Sequence, residues 1–109
     1  MANICNNKFF LSNEGNDEMF NKLKHILIED IGWEHGHEFD GEITYEDDCF
    51  VEGWFDSRWT FPAEYFEKII PEDIEGIDFR CLSEEYGCGY VAMNIYRDGI
   101  WWDEQTFDL

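Results

Sequence analysis

The side chains best suited to chemistry crowd into one short stretch. Glu34-His35-Gly36-His37-Glu38, followed by Asp40, sets two imidazoles among three carboxylates, a donor set able to hold Zn²⁺ or another divalent ion. A structural zinc site normally adds paired cysteines. Here Cys5, Cys49, Cys81 and Cys88 form no C-x-x-C pair, and a His-x-His pattern on a glycine-bearing loop fixes no coordination geometry. A metal- or ligand-binding module built on His35 and His37 is therefore the alternative expectation rather than the leading one, and no cofactor is expected.

The carboxylates extend well beyond that stretch. Between Lys24 and Arg58 there is no Lys or Arg, while eleven Asp and Glu residues accumulate. Nine of them, Glu34, Glu38, Asp40, Glu42, Glu46, Asp47, Asp48, Glu52 and Asp56, together with the aromatic anchor Trp54, make the candidate partner-binding set. Such a surface can imitate phosphate spacing and fill a basic nucleic-acid groove. The whole chain follows the same bias: 26 Asp plus Glu against 7 Lys plus Arg give a net charge of −19 over 109 residues. With 44% apolar and 18% aromatic residues the sequence is far from the disordered class, so it folds and carries this charge on a compact body. Naked nucleic acid and anionic membranes would be repelled, so neither is an expected ligand.

Several function classes fall away. G-x-S-x-G, P-loop, H-E-x-x-H and G-x-G-x-x-G motifs are all missing, so no enzyme is expected; a glycosidase-like carboxylate pair is the minor enzymatic option, set back by the small size of the chain. No apolar run approaches the length of a membrane span, and the first residues lack a secretory h-region, which predicts reduced thiols and a cytoplasmic location in a bacterial host cell.

The elements that must position these groups are legible in outline. Lys8–Ser12 predicts a strand ending at the Asn13–Asn16 turn. Met19, Phe20, Leu23, Ile26, Leu27 and Ile31 recur at helical spacing behind an Asn16 or Asp17 cap, predicting a helix that ends near Gly32. Residues 33–48 predict an acidic loop or hairpin insertion, with a short strand over Glu42–Glu46. Cys49–Asp56 alternates, putting Val51, Gly53 and Phe55 on one face and Phe50, Glu52, Trp54 and Asp56 on the other. Pro62 opens a second helix to about Ile70, stopped by Pro71, with Tyr65, Phe66, Ile69 and Ile70 inward. Ile77–Leu82 and Tyr90–Tyr96 predict strands, the latter with Val91, Met93 and Ile95 inward, and Ile100–Trp102 an edge strand. The order predicts one α+β domain over residues 1–109, an antiparallel sheet with two helices on one face.

Three stretches together, Asn3-Ile4-Cys5-Asn6-Asn7, Trp59-Thr60-Phe61-Pro62 and Glu85-Tyr86-Gly87-Cys88-Gly89-Tyr90, resemble the YubB-like ferredoxin-fold family of phages and plasmids. That family typically begins N-x-C-x-N, carries W-S/T-P-P before its second helix and has an acidic G-x-G-aromatic turn later. Ile4 stands where the family usually has an aromatic residue and Phe61 where it has the first proline, so the likeness is to a divergent member. The resemblance implies a ferredoxin-like fold and a mobile-element origin. Joined to the charge, it leads to the principal expectation: an inhibitor of a host defence nuclease, of the anti-CRISPR or antirestriction kind. Its partner would be a basic nucleic-acid-binding protein, such as a CRISPR effector or restriction nuclease, whose channel the protein blocks.

Overall fold

The computed structural model describes residues 3–34 and 36–106, the side chains of 105 and 106 excepted. In chain order these form β1 (Ile4–Asn13), α1 (Asp17–Asp30), β2 (Gly41–Glu46), β3 (Phe50–Arg58), α2 (Ala63–Ile69), β4 (Ile77–Glu85), β5 (Tyr90–Arg97) and β6 (Ile100–Thr106).

α1 forms where its periodicity and cap place it. Asn16 Oδ1 accepts from the Met19 N–H at 3.1 Å, and Asp17 and Glu18 in the first turn complement the helix dipole. Met19, Phe20, Leu23 and Leu27 are its buried stripe. Pro62 stands immediately before α2 rather than within its first turn, and the helix stops before Pro71, whose ring prevents continuation. Phe66 and Ile70 are buried there, while Tyr65 and Ile69 are half-buried.

The sheet has six strands in the order β2-β3-β1-β4-β5-β6, with every neighbouring pair antiparallel. Both helices pack on one of its faces: Phe20, Leu23, Leu27, Phe66 and Ile70 share a single core with Phe9, Leu11, Val51, Phe55, Phe79 and Cys81 from β1, β3 and β4. Among the described residues, the opposite face carries no helix. Gly53 is required at its register position, since a Cβ there would lie 2.9 Å from the ring of Phe9, its cross-strand partner.

Two elements differ from expectation. β1 begins four residues earlier than the apolar run, at Ile4 instead of Lys8. In this added half Cys5 and Asn7 face inward, and the polar Asn7 can be fully inside because it donates through Nδ2 to Ser57 Oγ at 2.9 Å and to Phe55 O at 3.1 Å. Asn7 Oδ1 in turn accepts from Ser83 Oγ at 2.6 Å. β5 has the reverse facing: Tyr90, Ala92, Asn94 and Tyr96 point to the core, and Val91, Met93 and Ile95 lie on the open face. The tyrosines can be buried because their hydroxyls are satisfied. Tyr96 donates to Pro71 O at 2.8 Å and accepts from Ile74 N at 3.0 Å, and Tyr90 Oη accepts from Phe61 N at 3.3 Å. The short strand expected over Glu42–Glu46 is present as Gly41–Glu46, and it forms one edge of the sheet itself.

Candidate functional site: an acidic edge and its aromatic corner

β2 is an edge strand, so one of its backbone rows faces outward while its side chains alternate between the two sides of the sheet. At about 3.3 Å per residue its six residues extend about 20 Å. The connection from α1 meets it at one end and the turn into β3 at the other. The candidate carboxylates therefore string out along one lateral rim of the molecule.

The structure sorts them into three groups. At the first end, Glu38, Asp40 and Asp56 line one hollow of about 490 Å³ together with His37 and Arg58. Asp40 is held there by its backbone, which accepts from Asp56 N at 2.8 Å, and Asn6 Nδ2 reaches Asp56 Oδ1 at 3.4 Å. In the middle, Glu42 sits opposite Trp54, and Tyr45 opposite Glu52, on the open face. Here Trp33 packs edge-on against Trp54 with ring centroids 5.3 Å apart, while Trp33 itself remains 63% exposed. At the far end the roles are structural: Glu46 turns to the helix side and pairs with Lys24 at 3.0 Å. Asp47 closes the turn, accepting from Cys49 N at 2.7 Å, from Phe50 N at 2.8 Å and from the Tyr45 hydroxyl. The Tyr45 bond and then those two N–H groups hold the Asp47 carboxyl below the usual carboxylate range. Asp48 and Glu34 are simply exposed.

The rim continues onto the open face of the sheet. Phe10 and Phe50 pack with centroids 5.2 Å apart, and a shallow hollow of about 390 Å³ lined by Lys8, Glu52, Trp54, Arg80, Leu82 and Met93 lies beside them. An apolar, partly aromatic floor with carboxylates along one border is what the geometry offers a partner. Sequence reasoning missed Trp33, because it stands in a stretch dominated by charge, and the aliphatic part of this floor, because β5 had the opposite facing.

The loop imidazoles do not assemble a centre among the described residues. His35 lies outside them. His37 Nδ1 donates to Glu29 O at 2.6 Å, tying the loop to the end of α1, and its Nε2 lies against Gly32, where a Cβ would fall 2.6 Å away. No group of three or more His, Cys, Asp or Glu side chains among the described residues is placed to hold a metal ion. Three of the four thiols are held in the protonated form. Burial pushes Cys5 up to about 11 and Cys81 up to about 12, and the hydrogen bond to Glu85 raises Cys88. No helix among the described residues is long and apolar enough to cross a membrane.

A second convergence joins the three short stretches singled out in the sequence. Asn3 Nδ2 donates to Glu85 Oε2 at 3.3 Å, Trp59 N donates to Asn3 O at 3.0 Å, and Phe61 N reaches Tyr90 Oη. Glu85 is a buried clasp on the β4–β5 turn, taking the Gly87 N–H at 2.6 Å and the Cys88 N–H at 2.8 Å. No family model, curated protein or solved structure matches the chain.

Proposed function

We propose that the protein binds a basic nucleic-acid-binding protein through the β2 rim and the adjoining open sheet face, and that it does so as an acidic nucleic-acid mimic inhibiting a host defence nuclease of the CRISPR or restriction type. The observation that carries this is the charge of the rim. Among the described residues, Glu46 alone of the nine candidate carboxylates along it is paired with a lysine. The others lie on β2, on the segments at its two ends and on the facing strand β3, so negative charge continues along this border of the sheet. The Trp33–Trp54 pair gives the rim an aromatic anchor of the type enriched at interface hot spots.

Two further features support a mobile-element origin. The order β2-β3-β1-β4, with a helix after β1 and after β3, is the order expected of a ferredoxin-like unit, though the sheet here also carries β5 and β6. The stretches that resemble the YubB-like family also meet in space around Asn3 and Glu85, as parts of one inherited unit would.

The test uses a panel of purified CRISPR effector complexes and restriction endonucleases, with cleavage followed as protein is titrated in. Stoichiometric inhibition is expected for the cognate enzyme. Replacing Glu38, Glu42 and Glu52 with Gln and Asp56 with Asn should slow association about tenfold at low salt, and the difference should vanish near 1 M salt, where the Debye length is about 3 Å. Full cleavage by every enzyme, or equal inhibition by the neutralised variant, would remove the proposal.

A further inference from the structure

The sheet is wider than its helical cover. Six strands span about 24 Å at about 4.8 Å per gap, whereas two helices of about 10 Å diameter cover only about 20 Å. The helices pack chiefly over β1, β3 and β4, so the core-side strip of β5 and β6 has a helix on one flank alone. There a cavity of about 300 Å³ opens between Phe61 and Glu67 on one side and Tyr90, Asn94, Trp101 and Asp103 on the other.

Its floor contains two donors without acceptors. Asn94 is only 7% exposed, yet among the described residues its Nδ2 has no hydrogen-bond partner, and neither has Nε1 of Trp101 on the adjacent strand. Buried N–H groups of this kind are rare because each has given up water and gained nothing. Two of them at one cavity point to a group that supplies the acceptor. We propose that the cavity binds an uncharged planar lactam, the hydrogen-bonding class of the nucleobases, whose carbonyl accepts from Asn94 Nδ2 and Trp101 Nε1 while its ring N–H donates to Asp103.

Each part of that assignment follows from the lining. Asp103 sits directly opposite Asn94 across the β5–β6 ladder, so an acceptor reaching Asn94 comes close to a carboxylate. A carboxylate or phosphate would be repelled there, and again by Glu67 and by the net charge of −19, whereas a neutral carbonyl is not. The ring N–H beside that carbonyl gives Asp103 a donor, and a carboxylate has lone pairs for several. Phe61 and Trp101, tilted 57° to each other, form an apolar corner for the face of a flat ring. The volume lies at the small end of the range for ligand sites, suiting one heterocycle rather than a nucleotide. The site contains none of the candidate carboxylates of the acidic rim and does not depend on that reading.

The probes are uracil, hypoxanthine and uridine 5′-monophosphate, titrated into ¹⁵N-labelled full-length protein. The chain has five tryptophans, and their indole signals can be assigned by substitution. The free bases should shift the Trp101 indole N–H and the Asn94 side-chain amide saturably, with the monophosphate at least tenfold weaker. Asn94→Leu should weaken base binding at least tenfold without lowering the melting temperature, because it removes an unsatisfied amide. Trp101→Phe provides a second reading, several-fold weaker binding, should the leucine variant fail to fold. No saturable shift up to the solubility limit, shifts confined to other tryptophans, equal binding of the monophosphate, or unaltered affinity in both variants would each overturn the assignment.

Discussion

Asn7→Ala should cost about 3–5 kcal/mol of stability, out of the roughly 5–15 kcal/mol typical of a small domain. The figure comes from the hydrogen bonds that Asn7 holds at zero exposure between three strands. Its Nδ2 donations to Ser57 Oγ at 2.9 Å and Phe55 O at 3.1 Å are the two well-formed bonds, each worth about 1 kcal/mol net. A third contact to Cys5 O, at 3.3 Å, adds little. The larger part is what the alanine leaves behind. Ser83 Oγ, buried and donating to Asn7 Oδ1 at 2.6 Å, loses its acceptor and has only the Cys81 sulfur at 3.8 Å to turn to, a penalty of about 1–3 kcal/mol. Ser57 is spared because it still donates to Thr60 O at 2.7 Å. Urea unfolding at neutral pH measures the loss as a lower midpoint at unchanged slope. Ser83→Ala alone should cost about 1–2 kcal/mol, and the double variant should fall short of the sum by at least about 1 kcal/mol, because the hydroxyl that Asn7→Ala orphans is then gone. Costs that simply add, or an Asn7→Ala loss below about 1 kcal/mol, would refute the view that this network joins β1, β3 and β4.

Two other perturbations read different parts of the molecule. Gly32→Ala places a Cβ 2.6 Å from His37 Nε2, so the ring must move off the end of α1; faster amide exchange over residues 31–40, with a stability loss of about 1–2 kcal/mol, is expected. Acid titration reads Glu85. The Cys88 hydrogen bond, aided by the Gly87 and Cys88 N–H groups and opposed by burial, holds the Glu85 carboxyl below its ordinary value. A depressed folded-state value contributes stability fully present above the unfolded value, near 4.3, and lost as pH falls through the lower folded value. Glu85→Gln should therefore flatten the acid limb of a pH–stability curve; a limb of unchanged steepness would show that the clasp carries no such linkage. Asp78 acts in the same direction. Burial works to raise its carboxyl, and the hydrogen bonds and charges of Arg80 and Arg97, both at 3.0 Å, outweigh that and hold it low.

How far the fold could be seen in advance depended on whether the deciding information was local. α1 was legible because its cap, its dipole charges and its apolar stripe all lie within fifteen consecutive residues and agree. β3 was legible because its two faces differ in kind, with Val51 and Phe55 set against Glu52 and Asp56. β5 was not. Both of its faces are apolar or aromatic, so alternation gives two registers of nearly equal hydrophobicity, and a one-residue slip exchanges them. What decides between them lies 22 to 29 residues away along the chain, where Ile74 and Phe61 meet the Tyr96 and Tyr90 hydroxyls.

The same distinction separates the two candidate sites. The acidic rim was visible from composition, since a segment without cations must carry its charge wherever the chain places it. Its division into a hollow, an aromatic corner and a structural turn was not, because that follows from which side of β2 each residue faces and from Lys24 reaching Glu46. The cavity beneath β5 and β6 left no trace in the sequence at all. Asn94, Trp101 and Asp103 read as an ordinary strand pair until the number of strands is set against the number of helices. A third helix over β6 would bury the strip and leave Asn94 to be replaced by an apolar residue. With two helices the strip stays open on one flank, and polar groups on a core-facing strand become affordable only if something other than protein meets them. The orphaned amide is thus better understood as a consequence of an uncovered strip than as a packing error, and it ties the most readily tested ligand site of this molecule to the width of its sheet.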